Sequence, residues 1–186
     1  MHLVEFVGDV GSGKSTQARW LAESLNEQGE TGIWRHISSG QILRERANAE
    51  EAEALKSGVM TPDEAVLPLM FGLLEDAKSR GENLILDGFP RNLLQYETCL
   101  DNGWQLSAVV ELLVDSEESR RRQLGRGRPG DTEENWQIRH NFYVTETQKM
   151  LRAMVANGVT HIKVSGNRSI EETRSAVLYA WQESLK

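Results

Sequence analysis

Short apolar runs alternate along the chain with longer stretches of mixed polarity, a pattern that predicts strands separated by helices. The longer stretches carry apolar residues at helical spacing, as between Lys14 and Asn26. Strands that alternate with helices are typical of a parallel sheet covered on both faces. The predicted strands are Leu3–Val7, Gly32–Ile37, Asn83–Leu86, Ala108–Val114 and His161–Val164.

Local signals mark the ends of several helices. Residues 61–64, Thr-Pro-Asp-Glu, predict a helix that Thr61 caps and in which Pro62 takes the first position. Residues 132–156 predict one long helix, and Ser169 is placed to cap a final one.

Two segments fit this alternation poorly. Gln41–Met60 is helical in composition but polar, and Arg120–Asp131 is basic and rich in glycine. We expect both to project from the core, where such elements are often moving parts.

Composition and charge narrow the classes of protein. The chain has 186 residues, 39% hydrophobic and 26% charged, which is typical of one globular domain. A net charge of −7 disfavours nucleic acid and membrane surfaces as partners. A single cysteine, Cys99, excludes an internal disulfide framework and a cysteine-rich zinc site. The first residues lack the features of a signal peptide, so we expect a cytoplasmic protein.

The strongest chemical signal follows the first predicted strand. Residues 8–16, Gly-Asp-Val-Gly-Ser-Gly-Lys-Ser-Thr, match the P-loop pattern G-x-x-x-x-G-K-[ST] and lead into a helix. Backbone N–H groups of such a loop surround a polyphosphate, and the helix N-terminus adds partial positive charge. Lys14 is expected to reach the outer phosphates, and the Ser15 hydroxyl to bind Mg²⁺. Asp87, at the end of another apolar strand, is the second candidate Mg²⁺ ligand.

Several further motifs resemble one enzyme family. Residues 87–91, Asp-Gly-Phe-Pro-Arg, match the D-G-[FY]-P-R signature of adenylate kinases and the related UMP/CMP kinases. Residues 36–40, followed by Leu43 and Arg44, resemble the segment with which that family holds its acceptor nucleotide. The arginines between residues 122 and 139 fall in a stretch similar to the family's lid, and the resemblance extends from about Val4 to Ser165.

The resemblance implies a fold and a domain organisation. The fold is an α/β P-loop fold of three layers with a five-stranded parallel sheet. Residues 1–186 would form a single kinase domain. Two insertions would project from it, an acceptor-binding (NMP-binding) insertion at residues 38–67 and a short lid at residues 125–133.

The implied activity is reversible phosphoryl transfer from Mg·ATP to a nucleoside monophosphate, by a monomer that needs no zinc. Arg44 and Arg91 would hold the acceptor phosphate, while the transferred group would be stabilised by Lys14, Arg91, Arg126, Arg128 and Arg139. Arginine is suited to this because its charged fork binds phosphate oxygens in pairs. The residues implied for ATP are Gly11, Ser12, Gly13, Lys14, Ser15, Thr16 and Arg122.

The expected acceptor is AMP. Gln95 lies four residues after Arg91, where adenylate kinases have the glutamine that reads adenine, whereas Asn92 is more typical of UMP/CMP kinases. The residues implied for AMP are Ser39, Gly40, Arg44, Gly88, Arg91 and Gln95. A kinase of UMP, CMP or another monophosphate stays open as an alternative, as does a P-loop ATPase or nucleotide-binding protein of the same fold.

The sequence also departs from the family. Ser15 replaces the usual glycine, and only Gly127 separates Arg126 from Arg128, so the lid is shorter than the family's short form. The division of roles between these two arginines is therefore open. A reduced lid leads to the hypothesis that water enters and some ATP is hydrolysed without an acceptor. No catalytic role is assigned to any histidine.

Overall fold

The computed structural model describes residues 1–185, and for residues 49, 50, 51 and 54 it describes the backbone alone. Five strands form one parallel sheet in the order β2-β3-β1-β4-β5. This confirms the predicted fold class. The strands are β1 (Leu3–Gly8), β2 (Trp34–Ser38), β3 (Asn83–Asp87), β4 (Ala108–Leu113) and β5 (Thr160–Ser165).

Helices connect the strands and cover both faces of the sheet. Among the described residues, none of these helices is both long and apolar enough to cross a bilayer. The helices are α1 (Lys14–Glu27), α2 (Ser39–Arg46), α3 (Ala49–Lys56), α4 (Asp63–Ser79), α5 (Leu93–Asp101), α6 (Ser116–Gly125), α7 (Glu133–Phe142), α8 (Gln148–Ala156) and α9 (Ile170–Ser184).

Each face of the sheet buries its own apolar layer. Successive residues of β1 point to opposite faces, so Leu3 packs in one layer and Val4 in the other. The first layer includes apolar side chains of α4, α5 and α8, and the second those of α1 and α9. Burial on both sides explains why the strands are almost continuously apolar.

The helix predicted for residues 132–156 contains an irregular turn. Thr132 caps its start by accepting a hydrogen bond from Asn135 N. Residues Tyr143–Thr147 then form a π-helical segment between α7 and α8. The apolar periodicity continues on both sides of this turn, so the sequence pattern gave no sign of it.

Two sequence expectations need correction. The cap predicted for Thr61 is wrong, because α4 begins at Asp63 and extended Pro62, with ψ of 144°, occupies the N-cap position without a side-chain cap. Arg120–Asp131 does not project as a whole. Its first half belongs to α6, where Ser119 and Gln123 are fully buried, and the connection to α7 is residues 126–132.

Candidate active site

The loop between β1 and α1 adopts a conformation that its glycines make possible. Gly11 and Gly13 have φ of 78° and 89°, in the left-handed region that glycine tolerates best. A Cβ on Gly11 would also collide with the backbone carbonyl of Ser119 in α6. The first turn of α1 contains no acidic residue, so the positive end of its dipole faces the loop uncompensated. The loop is thus shaped for an anion.

Lys14 lies at the centre of this region. Its Nζ donates to Asp9 O at 3.3 Å. Burial lowers the pKa of Lys14, and the charges of Arg91 and Arg126 lower it further, while Asp87 and Asp9 act in the opposite direction. A buried cation with cationic neighbours favours binding of a strongly anionic group.

Parallel pairing brings the ends of β1 and β3 together. Phe6 pairs with Asp87, which is 3% exposed and lines one cavity with Lys14 and Ser15. A hydroxyl and a single carboxylate beside a phosphate-binding loop fit Mg²⁺, which commonly takes one or two protein oxygens with phosphates and water. Ser12 Oγ, also in the loop, is buried without a hydrogen-bond partner among the described residues.

The start of α2 brings two guanidinium groups close together. Arg91 donates through Nε to Gly88 O at 2.6 Å and through Nη2 to Ser39 Oγ at 3.3 Å. Ser39 in turn donates to Gly88 O at 2.6 Å. A Cβ on Gly40 would lie 3.2 Å from Arg91 Nη2 and 3.3 Å from Arg44 Nη1. Glycine at this position therefore leaves room for both arginines to approach one point.

The lid arginines extend this positive cluster. A second cavity, between α3 and the segment after α6, is lined by the cations Arg44, Lys56, Arg126, Arg128 and Arg139 and by the acid Asp131. Arg126 pairs with Asp131 at 2.5 Å. Burial lowers the pKa of Arg139, and the charges of Arg126 and Arg91 add to this effect. The excess of positive charge is suited to a polyanion.

Arg126 and Arg139 also line the first cavity, with Lys14 and Arg91. Arg128 lines only the second. From α7, Asn135 Nδ2 also donates to Lys56 O at 2.5 Å, and Arg139 Nη2 donates to Leu55 O at 3.2 Å. The helix α7, which follows the predicted lid, thus contacts the predicted acceptor insertion directly.

Two predicted site residues are bound within the chain. Gln95 is 3% exposed; its Oε1 accepts from Arg91 N at 2.7 Å, and its Nε2 donates to Asp63 Oδ1 at 2.6 Å. Arg122 lies apart from the arginine cluster. Its Nε donates to Glu118 at 2.6 Å and its Nη1 to Gly166 O at 2.8 Å.

The sequence reasoning missed three polar residues beside the site. Glu5 accepts from Gly88 N at 3.1 Å and lines the first cavity. His140 Nδ1 lies 2.6 Å from Asp9 Oδ2. An acid inside an apolar strand was a signal for Glu5, whereas the 131 positions that separate Asp9 from His140 hid their contact.

Comparisons with known proteins agree with this geometry. The family model described as adenylate kinase matches residues 6–159. The adenylate kinase of Prochlorococcus marinus (strain MIT 9211) is 34% identical, over 90% of each chain. That of Maricaulis maris (strain MCS10) is 32% identical, over 98% of this chain and all of its own. That of Thermobifida fusca (strain YX) is 38% identical, over 78% of this chain and 79% of its own.

Proposed function

The chain belongs to the adenylate kinase family, and we propose on this basis that it transfers the γ-phosphoryl group of Mg·ATP to AMP, reversibly, giving two ADP. It is a phosphotransferase, and the relatives described above favour adenylate kinase over a UMP/CMP kinase or an ATPase. The observation that carries the proposal is the convergence of Lys14, Arg91, Arg126 and Arg139 on one cavity.

On the donor side, we propose that the backbone N–H groups of residues 11–16 surround the triphosphate and that Lys14 contacts its outer phosphates. Ser15 and Asp87 would hold Mg²⁺, which supplies charge neutralisation between the phosphates when bound. Arg122 would flank the donor adenine, a role supported by its place beside Gly166, a residue that packs against Ser12.

On the acceptor side, Arg44 and Arg91 would hold the AMP phosphate, supported by their approach to Gly40 and Ser39. The attacking phosphate oxygen is already an anion, so no general base is needed. The transferred group spreads its charge over three oxygens, and fixed cations stabilise that charge. Arg126 and Arg139 suit this task because they share the cavity with Lys14, and Arg128 would then contact the donor phosphates from the second cavity.

Recognition of adenine would depend on Gln95. Its two hydrogen bonds fix which end of the amide faces Arg91 and which faces Asp63. An amide has two donor hydrogens and two acceptor lone pairs, so one of each remains. Adenine offers the complementary pair, an acceptor at N1 and a donor at its 6-amino group, so the free valences of Gln95 match those of AMP.

We further propose that residues 38–67 are the acceptor-binding insertion and residues 125–133 the lid, and that the two close over the nucleotides. The hydrogen bonds from α7 to α3 support this closure, which would exclude water from the transfer step. A monomer in the cytoplasm is the corresponding proposal for assembly and location. The proposed location is supported by a single, buried cysteine, which is typical of a reducing compartment.

A panel of acceptors tests the proposed function. Purified protein is given Mg·ATP with AMP, dAMP, UMP, CMP or GMP, or with no acceptor, and ADP formation is followed. We expect AMP to be preferred, and ADP formed in the sample without acceptor to be limited to the slow hydrolysis that a reduced lid is hypothesised to allow. Preference for UMP or CMP would contradict AMP as the acceptor, and equal ADP in every sample would indicate an ATPase.

Arg91 provides the matched test of the site. Arg91→Ala should lower kcat/KM for the acceptor by about a hundredfold or more, since a buried charge-assisted phosphate contact is lost. Arg80, which forms an exposed ion pair with Asp76, is the control, and Arg80→Ala should leave kcat/KM unchanged. Equal activity of the two variants would contradict the site assignment.

A further inference from the structure

A buried hydrogen-bonded network joins the P-loop to both helices that border the lid. Asp9 Oδ1 accepts from Val10 N at 2.7 Å, and Asp9 Oδ2 lies 2.6 Å from His140 Nδ1 in α7 and 3.0 Å from Ser119 Oγ in α6. Trp136 Nε1 donates to the same Ser119 hydroxyl at 3.1 Å. Asp9, Ser119 and Trp136 are all buried. None of these residues belongs to the proposed catalytic set.

The contact between His140 and Asp9 requires one tautomer of the imidazole ring. In the tautomer with a hydrogen on Nδ1, His140 donates to the Asp9 carboxylate, a group that only accepts hydrogen bonds when it is ionised. The His140 ring also stacks on Trp136, with ring centroids 4.8 Å apart and planes 13° from parallel. Stacking and hydrogen bond together hold the imidazole in one orientation.

The network sets the direction of α7. Trp136 and His140 lie one helical turn apart and face the P-loop and α6, whereas Asn135 and Arg139, also one turn apart, face α3. A rotation or shift of the helix that broke the first pair of contacts would move the second. The position of the Arg139 guanidinium therefore depends on the face that holds His140.

The short lid makes this dependence stronger. Only residues 126–132 connect α6 to α7, too few to form a core of their own. The placement of the lid cations then follows from how the two helices are attached to the rest of the protein, and Asp9 contacts a residue of each.

We propose that His140, through its Nδ1 hydrogen bond to Asp9, is a positioning residue that holds Arg139 and the P-loop in register for phosphoryl transfer. This inference rests on the proposed function, because the effect is on the transfer step. His140 lines neither of the two cavities, so loss of the contact should act on turnover and on the donor side more than on binding of the acceptor.

Two substitutions of similar size separate positioning from packing. In His140→Asn the amide nitrogen takes the place of Nδ1, and in His140→Gln it takes the place of Nε2, out of reach of Asp9. We expect His140→Gln to lower kcat by about tenfold to a hundredfold, because small misplacements of catalytic groups have effects of that size. His140→Asn should keep kcat within about threefold of the unsubstituted protein, and the acceptor KM should change little in either.

His161 provides the control. It makes an equivalent bond to a buried carboxylate, from Nε2 to Glu111 Oε2 at 2.9 Å, but this bond joins β5 to β4 and not to the P-loop. His161→Ala should therefore retain kcat even where its melting temperature falls. The double variant Asp9→Ala/His140→Ala should be no slower than the worse single variant, as expected for two residues that act through one contact.

The outcomes are decisive in each case. Equal loss of kcat in His140→Asn and His140→Gln, matched by equal loss of melting temperature, would overturn the proposal in favour of a packing role. Full activity of His140→Gln would overturn it as well.

If the unsubstituted protein transfers phosphate to no acceptor, the proposed function fails. The affinity for ATP, measured by calorimetry, then tests the contact separately: weaker binding in His140→Gln alone supports it, and equal binding in all variants overturns it.

Discussion

At the scale of single residues, the site depends on buried polar groups that the apolar pattern conceals. Glu5 stands in the middle of β1 and is 1% exposed. Its Oε1 accepts from Gly88 N, and its Oε2 has no partner among the described residues. Burial, and then the charge of Asp87, raise the pKa of Glu5 well above its ordinary range. The protonated carboxyl can still support the loop that leads to Arg91.

Glu5 gives a prediction about stability and pH. The folded protein binds this proton more tightly than the unfolded chain, so the free energy of unfolding should fall as pH rises above the unfolded pKa, about 4.3. Glu5→Gln keeps the acceptor for Gly88 N and removes the ionisation. The free energy of unfolding of Glu5→Gln minus that of the unsubstituted protein, measured by urea denaturation, should increase from about pH 5 to about pH 8. A difference that is constant with pH would contradict this account.

Contiguous motifs made part of the site predictable from the sequence. Lys14 lies in the motif of residues 8–16 and Arg91 in the motif of residues 87–91. Each motif is a short continuous segment, so its residues can be identified from the sequence without knowledge of the fold. The contact of Asp9 with His140 and the support of Gly88 by Glu5 depend on how separate elements pack. Such contacts leave no local pattern and become visible only in the folded structure.

At the scale of elements, the π-helical segment Tyr143–Thr147 is the main departure from the sequence prediction. An extra residue in this turn changes which side chains face the sheet beyond it. Thr147 Oγ1 donates to Arg91 O at 2.8 Å, and the Tyr143 hydroxyl donates to Glu111 at 3.0 Å. Both Tyr143 and Thr147 line the first cavity. The irregular turn therefore supports the backbone that carries Arg91.

The hydroxyl of Thr147 can be tested by itself. Thr147→Val removes one hydrogen bond to the carbonyl of Arg91, worth about 1 kcal/mol, and should raise the acceptor KM by about fivefold. Thr145 is the matched control, because its exposed hydroxyl donates to the nearby backbone carbonyl of Asn141, one turn earlier. Thr145→Val should leave the acceptor KM unchanged. A similar KM in both variants would show that the turn does not support the acceptor site.

The alternation of strands and helices made the sheet predictable, because each strand is buried on both faces and stands out as an apolar run. Strand ends were placed within two residues of their observed positions. Helix starts were less certain: the capping box at Ser169 is present, whereas Thr61 lies one residue too early to cap α4. The residue at which a helix begins depends on side-chain packing as well as on the local sequence, so capping patterns alone do not identify it.

At the scale of the whole molecule, an acidic protein concentrates cations at one place. The net charge is −7, yet the pKa of Arg44 is lowered by burial and then by the nearby charges of Arg128, Arg91, Arg126 and Arg139. Repulsion among these groups is a cost of the ligand-free state. Anionic ligands relieve it and would hold the lid and the acceptor insertion together.

Lys14→Met tests this balance. Removing a buried cation from a positive cluster should leave the melting temperature of the free protein unchanged or raise it. The same variant should lose most of the increase in melting temperature that Mg·ATP produces in the unsubstituted protein. For a ligand at a hundredfold excess over Kd, that increase corresponds to about 2.7 kcal/mol in the free energy of unfolding. Thermal denaturation with and without Mg·ATP measures both. A variant that unfolds at a lower temperature without ligand would contradict the proposed cost of the cluster.

The most direct test of adenylate kinase activity is the reverse reaction with ADP as the only nucleotide. Purified protein is mixed with Mg²⁺ and ADP, and all products are separated and quantified over time. The account predicts ATP and AMP in nearly equal amounts, with little inorganic phosphate, and conversion by Arg91→Ala that is slower by about a hundredfold or more. Formation of AMP and phosphate without ATP, or no conversion by the unsubstituted protein, would contradict it.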